Sequence, residues 1–157
     1  MALADASTGD YKDLVRKLRE DLTDPNLPRN VRWPENLVAL MLRANGYCEY
    51  CGTDLVSSLE AFWASETDHV IPKDRGGEDD YELNKAIACN WCNRIKGKSW
   101  PDDAPGVEIR DRSARIAAVR PMVLERRRQR RLVEIFARFR EVLELRRAQP
   151  KEVADEV

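Results

Sequence analysis

The stretch Cys48-Glu49-Tyr50-Cys51-Gly52 begins a window of the sequence that ends with Cys89-Asn90-Trp91-Cys92-Asn93-Arg94-Ile95-Lys96-Gly97-Lys98. Between these two ends lies Asp68-His69-Val70-Ile71-Pro72-Lys73-Asp74-Arg75-Gly76-Gly77. All four cysteines of the chain and its single histidine fall within this window. We therefore expect the chemistry of the protein to be concentrated here.

The cysteines form two C-x-x-C pairs, a spacing that presents two sulfur atoms to one metal ion. The pairs are separated by 37 residues, so the segment between them is expected to be a folded insert rather than a short hairpin. Four thiolates complete the tetrahedral shell of Zn²⁺ and leave no open position. The sequence therefore predicts a structural zinc site formed by Cys48, Cys51, Cys89 and Cys92. Four unrelated thiols or a redox pair fit less well, because both pairs share one spacing and no thioredoxin-like βαβ pattern surrounds them.

Composition points to a soluble, helix-rich protein. The chain has 157 residues, of which 35% are charged and 43% hydrophobic, and one domain with a modest core is expected. Its net charge of −1 does not indicate a partner, since a global balance can hide local patches. Residues 1–10 lack the basic start and apolar run of a signal peptide, and no apolar stretch is long enough to span a membrane. We therefore expect a cytoplasmic protein, a compartment that favours metal binding by cysteines over disulfides.

The sequence on the N-terminal side of the window has helical periodicity. A first helix is predicted from Thr8 or Asp10 to about Asp24, and a second is predicted to begin at Pro34 and to end at Asn45-Gly46. Within the window, residues 59–67 fit a helix or a strand, and residues 83–88 are expected to be helical or extended.

The C-terminal region has a different composition. Residues 109–147 contain thirteen arginines against five acidic residues, a local excess of eight positive charges. Pro121 is predicted to separate a short helix over residues 111–120 from a long one over residues 122–147. An apolar stripe at helical spacing runs from Leu132 to Leu143 and is expected to pack.

Asp68 and His69 together suit phosphodiester hydrolysis. Asp68 offers hard oxygen ligands to Mg²⁺, and His69 can accept a proton from water near neutral pH. The reaction needs both an activated water and a cation facing the charge that develops on phosphate. Adjacent side chains of an extended segment point to opposite faces, so either the segment bends or metal and water approach from different directions.

The window resembles the HNH endonuclease family, whose pattern is C-x-x-C, D-H-x-x-P, G-G, N, C-x-x-C-N-x-x-K. This pattern is matched by Cys48/Cys51, Asp68-His69, Pro72, Gly76-Gly77, Asn84, Cys89/Cys92, Asn93 and Lys96. The resemblance covers about a third of the chain. It implies an α+β, mostly helical fold with a small zinc-stapled ββα-metal core, flanked by N- and C-terminal helices. In that core a β-hairpin carries Asp68-His69, a helix carries Asn93, and one divalent cation lies between them.

The resemblance also implies catalytic roles. His69 matches the general base, Asp68 matches the first ligand of the cation, and Asn84 matches the asparagine that braces the loop and helps orient the histidine. Asn93 occupies a position where many members have histidine, and its amide oxygen would serve as a second ligand, favouring Mg²⁺ or Mn²⁺. Candidate phosphate contacts nearby are Arg94, Lys96 and Lys98. The alternative for these three residues is a solvated basic turn.

The dense run from Arg126 to Arg131 is a second candidate for phosphate contact. Arg126, Arg127, Arg130 and Arg131 are predicted to follow a nucleic-acid backbone. Alternatively, the arginines cover the outside of a helix packed by its apolar stripe, or the helix docks another protein.

We therefore predict an endonuclease that hydrolyses phosphodiester bonds in DNA, most simply double-stranded DNA, with one divalent cation. The expected organisation is an N-terminal helical segment over residues 1–46, a nuclease core over 47–100 and arginine-rich helices over 107–148. The alternatives are a zinc-stabilised nucleic-acid-binding module without catalysis, and a nuclease subunit that depends on a protein partner.

Overall fold

The computed structural model describes residues 8–28 and 36–148, which form seven helices and a two-stranded sheet. The helices are α1 (Thr8–Thr23), α2 (Leu37–Arg43), α3 (Leu59–Trp63), α4 (Tyr81–Asn84), α5 (Asn90–Lys96), α6 (Arg112–Gln129) and α7 (Leu132–Ala148), and the strands are β1 (Ser65–His69) and β2 (Lys85–Cys89). A short 3-10 helix covers Lys73–Arg75. The predicted start of the second helix at Pro34 lies outside the described residues. Within them, no helix has the length and apolarity needed to cross a membrane.

The sheet is an antiparallel hairpin in which Ser65 pairs with Cys89 and His69 pairs with Lys85. The two segments for which the sequence allowed helix or extended structure, residues 59–67 and 83–88, each begin as helix and continue as strand. Helix α3 is capped by the Ser58 hydroxyl, which accepts a hydrogen bond from the Ala61 amide, and β1 begins at Ser65 after it. Similarly, α4 ends at Asn84 and β2 begins at the next residue.

The loop between the strands is held by the side chain of Asn84. Its Oδ1 accepts from the Ile71 amide at 2.8 Å, and its Nδ2 donates to the carbonyls of Ile71 and Glu78 at 2.9 Å each. Gly77 lies against this contact, where a Cβ atom would be 1.9 Å from the Ile71 oxygen and 2.8 Å from Nδ2 of Asn84. The loop therefore tolerates no side chain at residue 77 without a shift of the backbone.

The core lies where the hairpin, α2, α5 and α6 meet. The aromatic and large aliphatic side chains buried there are Leu37, Leu40, Tyr50, Leu55, Val70, Ile71, Ile87, Trp100, Ile116, Val119 and Val123.

Pro121 does not separate two helices as the sequence predicted, since it lies inside α6 on the exposed side. A proline within a helix costs about 3 kcal/mol. Burial of Ile116, Val119 and Val123 from the opposite face contributes about 1.5–3 kcal/mol for each side chain, which exceeds that cost. The chain instead breaks between α6 and α7, where Arg131 has a positive φ of 48°.

The apolar stripe of α7 was expected to pack, but the described part of the chain leaves it open to solvent. Val133, Phe136 and Phe139 are 81%, 65% and 64% exposed. Helix α1 similarly exposes Tyr11 and Leu14. Both terminal helices thus present apolar side chains that the core does not use.

Candidate active site and metal centre

The four cysteines converge on one point. Their sulfur atoms all lie within 4.8 Å of one another, and the Sγ atoms of Cys51 and Cys89 are 3.8 Å apart. Tetrahedral metal–sulfur bonds of about 2.3 Å place sulfurs about 3.8 Å apart, so the spacing suits one tetrahedral ion. With four soft thiolate donors, the cluster suits a structural metal such as zinc.

Local backbone geometry positions each cysteine pair. In the first pair, the Cys48 amide donates to the Thr53 carbonyl at 2.9 Å and the Gly52 amide donates to the Cys48 carbonyl at 2.8 Å. Gly52 has a φ of 74°, a conformation that glycine adopts without strain. In the second pair, Cys89 is the N-cap of α5, and its Sγ accepts from the Cys92 amide at 3.5 Å.

Arg126 and Arg127, which were predicted to contact phosphate, are half-buried, and their guanidinium groups contact other parts of the protein. Nη1 of Arg127 lies 3.2 Å from the Cys92 sulfur and 3.5 Å from the Cys89 sulfur. Nη1 of Arg126 donates to the Ser99 hydroxyl at 2.7 Å. These guanidinium groups are therefore engaged within the protein, whereas Arg130 and Arg131 are exposed.

Asp68 is buried at the end of β1 and is already bonded. The Tyr50 hydroxyl donates to its Oδ2 at 2.5 Å, and the Lys96 ammonium lies 2.9 Å from the same oxygen. Burial raises the pKa of Asp68, and Lys96 and Tyr50 offset part of that rise. Lys96, a predicted phosphate contact, also donates to the His69 carbonyl at 2.6 Å and is 1% exposed, so in this arrangement its ammonium is occupied by groups of the protein.

Asn93 bonds to a carboxylate that the sequence analysis did not single out. The Glu66 side chain accepts from the amide of Asn93 and, at 2.5 Å, from that of Asn90. Because side chains two residues apart share one face of a strand, Glu66 and Asp68 both project from β1 toward α5. Oxygen atoms that could bind a cation thus lie together on this side of the hairpin. In this arrangement, however, Asp68 is bonded to Tyr50 and Lys96, and Asn93 is bonded to Glu66.

His69 contacts Asp79 and Lys85, neither of which was predicted from the sequence as a site residue. Its Nε2 lies 2.9 Å from Oδ1 of Asp79 and 2.6 Å from Nζ of Lys85, which is its partner across the hairpin. Lys85 and Asp79 are themselves 2.5 Å apart. Hydrogen bonds from Lys85, then from Lys73 and His69, hold the pKa of Asp79 well below its usual range. Only the pairing register of the strands could have revealed Lys85 as a neighbour.

Asp68 and His69 meet in an open surface depression. Its other walls are Pro72, Lys73, Asp74, Gly97 and Lys98. Lys98 is 84% exposed and pairs with Asp74 at 3.3 Å, and Arg94 is exposed. The predicted bracing residue Asn84 contacts the loop at Ile71, while its own carbonyl accepts from the amide of Val70, next to His69.

A short hairpin followed by a helix and joined by two cysteine pairs defines a small ββα domain with a four-cysteine cluster that suits a structural metal. Residues 48–99 match the family model described as HNH endonuclease. The matched segment has the two cysteine pairs at its two ends. The resemblance and the fold class inferred from the sequence are both confirmed. No curated protein sequence gives a significant match to the chain.

Proposed function

We propose that the protein is an endonuclease that hydrolyses phosphodiester bonds in DNA, with His69 as the general base. The observation that carries this proposal is the family match over residues 48–99, which includes Asp68 and His69 at the wall of an open depression. The proposed nuclease core is residues 47–100, flanked by the helical segments 1–46 and 107–148. We place the protein in the cytoplasm.

His69 would accept a proton from the attacking water. The neighbouring Asp79 fixes the ring by its contact with Nε2. The Lys85 ammonium adds positive charge beside the ring, where it can face a phosphate oxygen. Asn84 keeps the segment after His69 in place through the loop contacts.

A divalent cation, Mg²⁺ or Mn²⁺, would supply charge opposite the developing negative charge on phosphate. The donor chemistry suits such an ion, because Asp68 and Asn93 provide oxygen atoms and Glu66 lies on the same face of β1. For Asp68 to bind it, the ammonium of Lys96 must move away from the carboxylate.

Double-stranded DNA is the proposed substrate. Lys98 and Arg94 are exposed near the depression, and Arg130 and Arg131 are exposed at the end of α6. If Arg130 and Arg131 neutralise phosphates, replacing both by glutamine will flatten the slope of log affinity against log salt by about 0.9 for each phosphate lost. An unchanged slope in the folded variant would assign them to a solvated surface.

The test of catalysis is plasmid nicking by purified protein with Mg²⁺ or Mn²⁺. We expect His69→Ala to lower the rate by about 10²–10⁴-fold, the usual contribution of a general base. Metal content and circular dichroism should equal those of the wild type. A variant that cuts at the wild-type rate would remove His69 from the role of base and favour a nucleic-acid-binding module without catalysis.

A second candidate is a nuclease that depends on a protein partner. It is favoured by the exposed Phe136 and Phe139 of α7, since exposed contiguous apolar surface often marks an interaction site. In that case the folded, metal-loaded protein would bind DNA but would not nick it alone at any concentration of Mg²⁺ or Mn²⁺. Nicking by the pure protein would exclude this dependence.

A further inference from the structure

Helix α6 lies outside the HNH match but reaches the first cysteine pair. Arg112, at its N-terminal end, donates from Nη2 to both carboxylate oxygens of Glu49 and from Nε to the Lys85 carbonyl at 2.7 Å. Glu49 lies between Cys48 and Cys51 in sequence, and its Oε2 also accepts from the Ile87 amide at 2.8 Å. The first cysteine pair is therefore tied to β2 and to α6 through one carboxylate.

The other end of α6 reaches the second cysteine pair. Arg127 contacts the sulfurs of Cys89 and Cys92 directly, and Arg126 bonds to Ser99 and, at 3.4 Å, to the Ile95 carbonyl. One helix thus contacts the residue between the first two cysteines through Arg112 and the sulfurs of the second pair through Arg127.

The charge of the four-cysteine site with a metal bound gives a reason for the Arg127 guanidinium to lie beside it. Four thiolates around a divalent ion carry a net charge of −2, and Cys48 and Cys92 are buried. Charge in partly buried surroundings is stabilised by an opposite charge that also donates hydrogen bonds. Arg127 can supply both the positive charge and the hydrogen bonds to two of the four sulfurs, those of Cys89 and Cys92.

We infer that α6 is part of the metal centre, with Arg127 as the positioning residue that holds Cys89 and Cys92 and makes metal retention depend on this helix. The inference rests on the four-cysteine site holding a metal such as zinc. It does not depend on catalysis. Replacing a residue that hydrogen-bonds to a metal ligand typically lowers metal affinity by about 10–100-fold.

The chain offers matched controls for the test. Arg126 is adjacent, half-buried and bonded to the same α5 region, but its contacts are to oxygen rather than sulfur. Arg128 is exposed and pairs with Glu125 on the same helix. Arg127→Lys keeps the positive charge while losing the planar fork.

The experiment measures zinc dissociation from the full-length, zinc-loaded protein by competition with a chromogenic chelator at fixed pH. We expect Arg127→Gln to raise the dissociation constant by about 10–100-fold. Arg127→Lys should recover part of this loss, and Arg126→Gln and Arg128→Gln should each change it by less than about threefold. Equal zinc affinity of Arg127→Gln and Arg126→Gln would overturn the inference.

A second measurement covers the case in which Arg127→Gln does not fold. Hydrogen exchange of the wild-type protein is compared before and after chelation of zinc. Amides of α6 should lose protection together with those of the two cysteine pairs, and unchanged protection of α6 would overturn the inference. A wild-type protein that retains no metal would instead refute the metal site itself, whereas a metal-loaded wild type with an unaffected Arg127→Gln variant refutes only the role of α6.

Discussion

The contact between Lys96 and Asp68 gives the sharpest prediction about stability. Both groups are buried, since the Lys96 side chain is 0% and the Asp68 side chain 8% exposed, and the ammonium is 2.9 Å from Oδ2. Removing one partner of a buried ion pair costs about 3–5 kcal/mol, because the other charge stays buried without compensation. Lys96→Met would leave Asp68 with Tyr50 as its remaining donor in this contact. We therefore expect the lower end of that range, about 3 kcal/mol.

Urea unfolding of the zinc-loaded protein measures this loss. Lys98→Met is the matched control, because Lys98 is 84% exposed and pairs with Asp74 at the surface, where such pairs contribute about 0–1 kcal/mol. A Lys96→Met variant that loses less than about 1 kcal/mol would refute the view that the buried pair holds β1 against α5.

The same variant also tests the proposed cation ligand. With its ammonium partner removed, the Asp68 carboxylate should bind added Mg²⁺ and regain stability, by about 1.4 kcal/mol at ten times the dissociation constant. Asp68→Asn combined with Lys96→Met should show no such gain. Equal Mg²⁺ dependence of the single and double variants would exclude Asp68 as the ligand.

Three further predictions concern the loop between the strands. Gly77→Ala should lower the unfolding free energy by about 1–3 kcal/mol, because the new Cβ would clash with the Ile71 carbonyl oxygen, and thermal unfolding would detect it. Asn84→Ala should cost about 1–3 kcal/mol, since it leaves buried backbone groups of Ile71 without partners; an unchanged denaturation midpoint would contradict this. Hydrogen bonds from Arg115 lower the pKa of Glu78 from 4.5 to about 2, so this carboxylate stabilises the fold above pH 4.5 and the effect disappears as the pH falls toward 2. The stability difference between wild type and Glu78→Gln should therefore shrink over that interval in acid titration, and a constant difference would argue against the pairing.

The parts of the fold that were predictable depend on residues close in sequence or on a recognisable spacing. The cysteine pairs, the hairpin carrying His69 and the helix carrying Asn93 belong to this group. The HNH pattern places these residues at fixed intervals, and each lies in a short element whose ends are marked by caps or turns. The convergence of the four sulfurs follows from the same spacing.

The features that the sequence did not reveal have one physical cause: packing between distant parts of the chain decides the direction of a charged side chain and whether a helix continues through a proline. Lys96 is 28 residues from Asp68, and nothing local indicates that its ammonium turns inward. Arg126 and Arg127 stand in a run that looks solvent-facing, but α6 buries one side and turns these two toward α5. Pro121 was expected to break the helix, and apolar burial on the far side of α6 outweighed its local cost.

The contact between Glu49 and Arg112 joins residues 63 positions apart, which has a consequence for synthesis. A ribosome adds about 5–20 residues each second, so about 3–13 s pass between the appearance of these two residues. During that interval Cys48 and Cys51 are already made, while the helix whose Arg112 pairs with Glu49 is not. The Glu49 carboxylate, between the first two cysteines, therefore lacks its guanidinium partner until the start of α6 has left the ribosome.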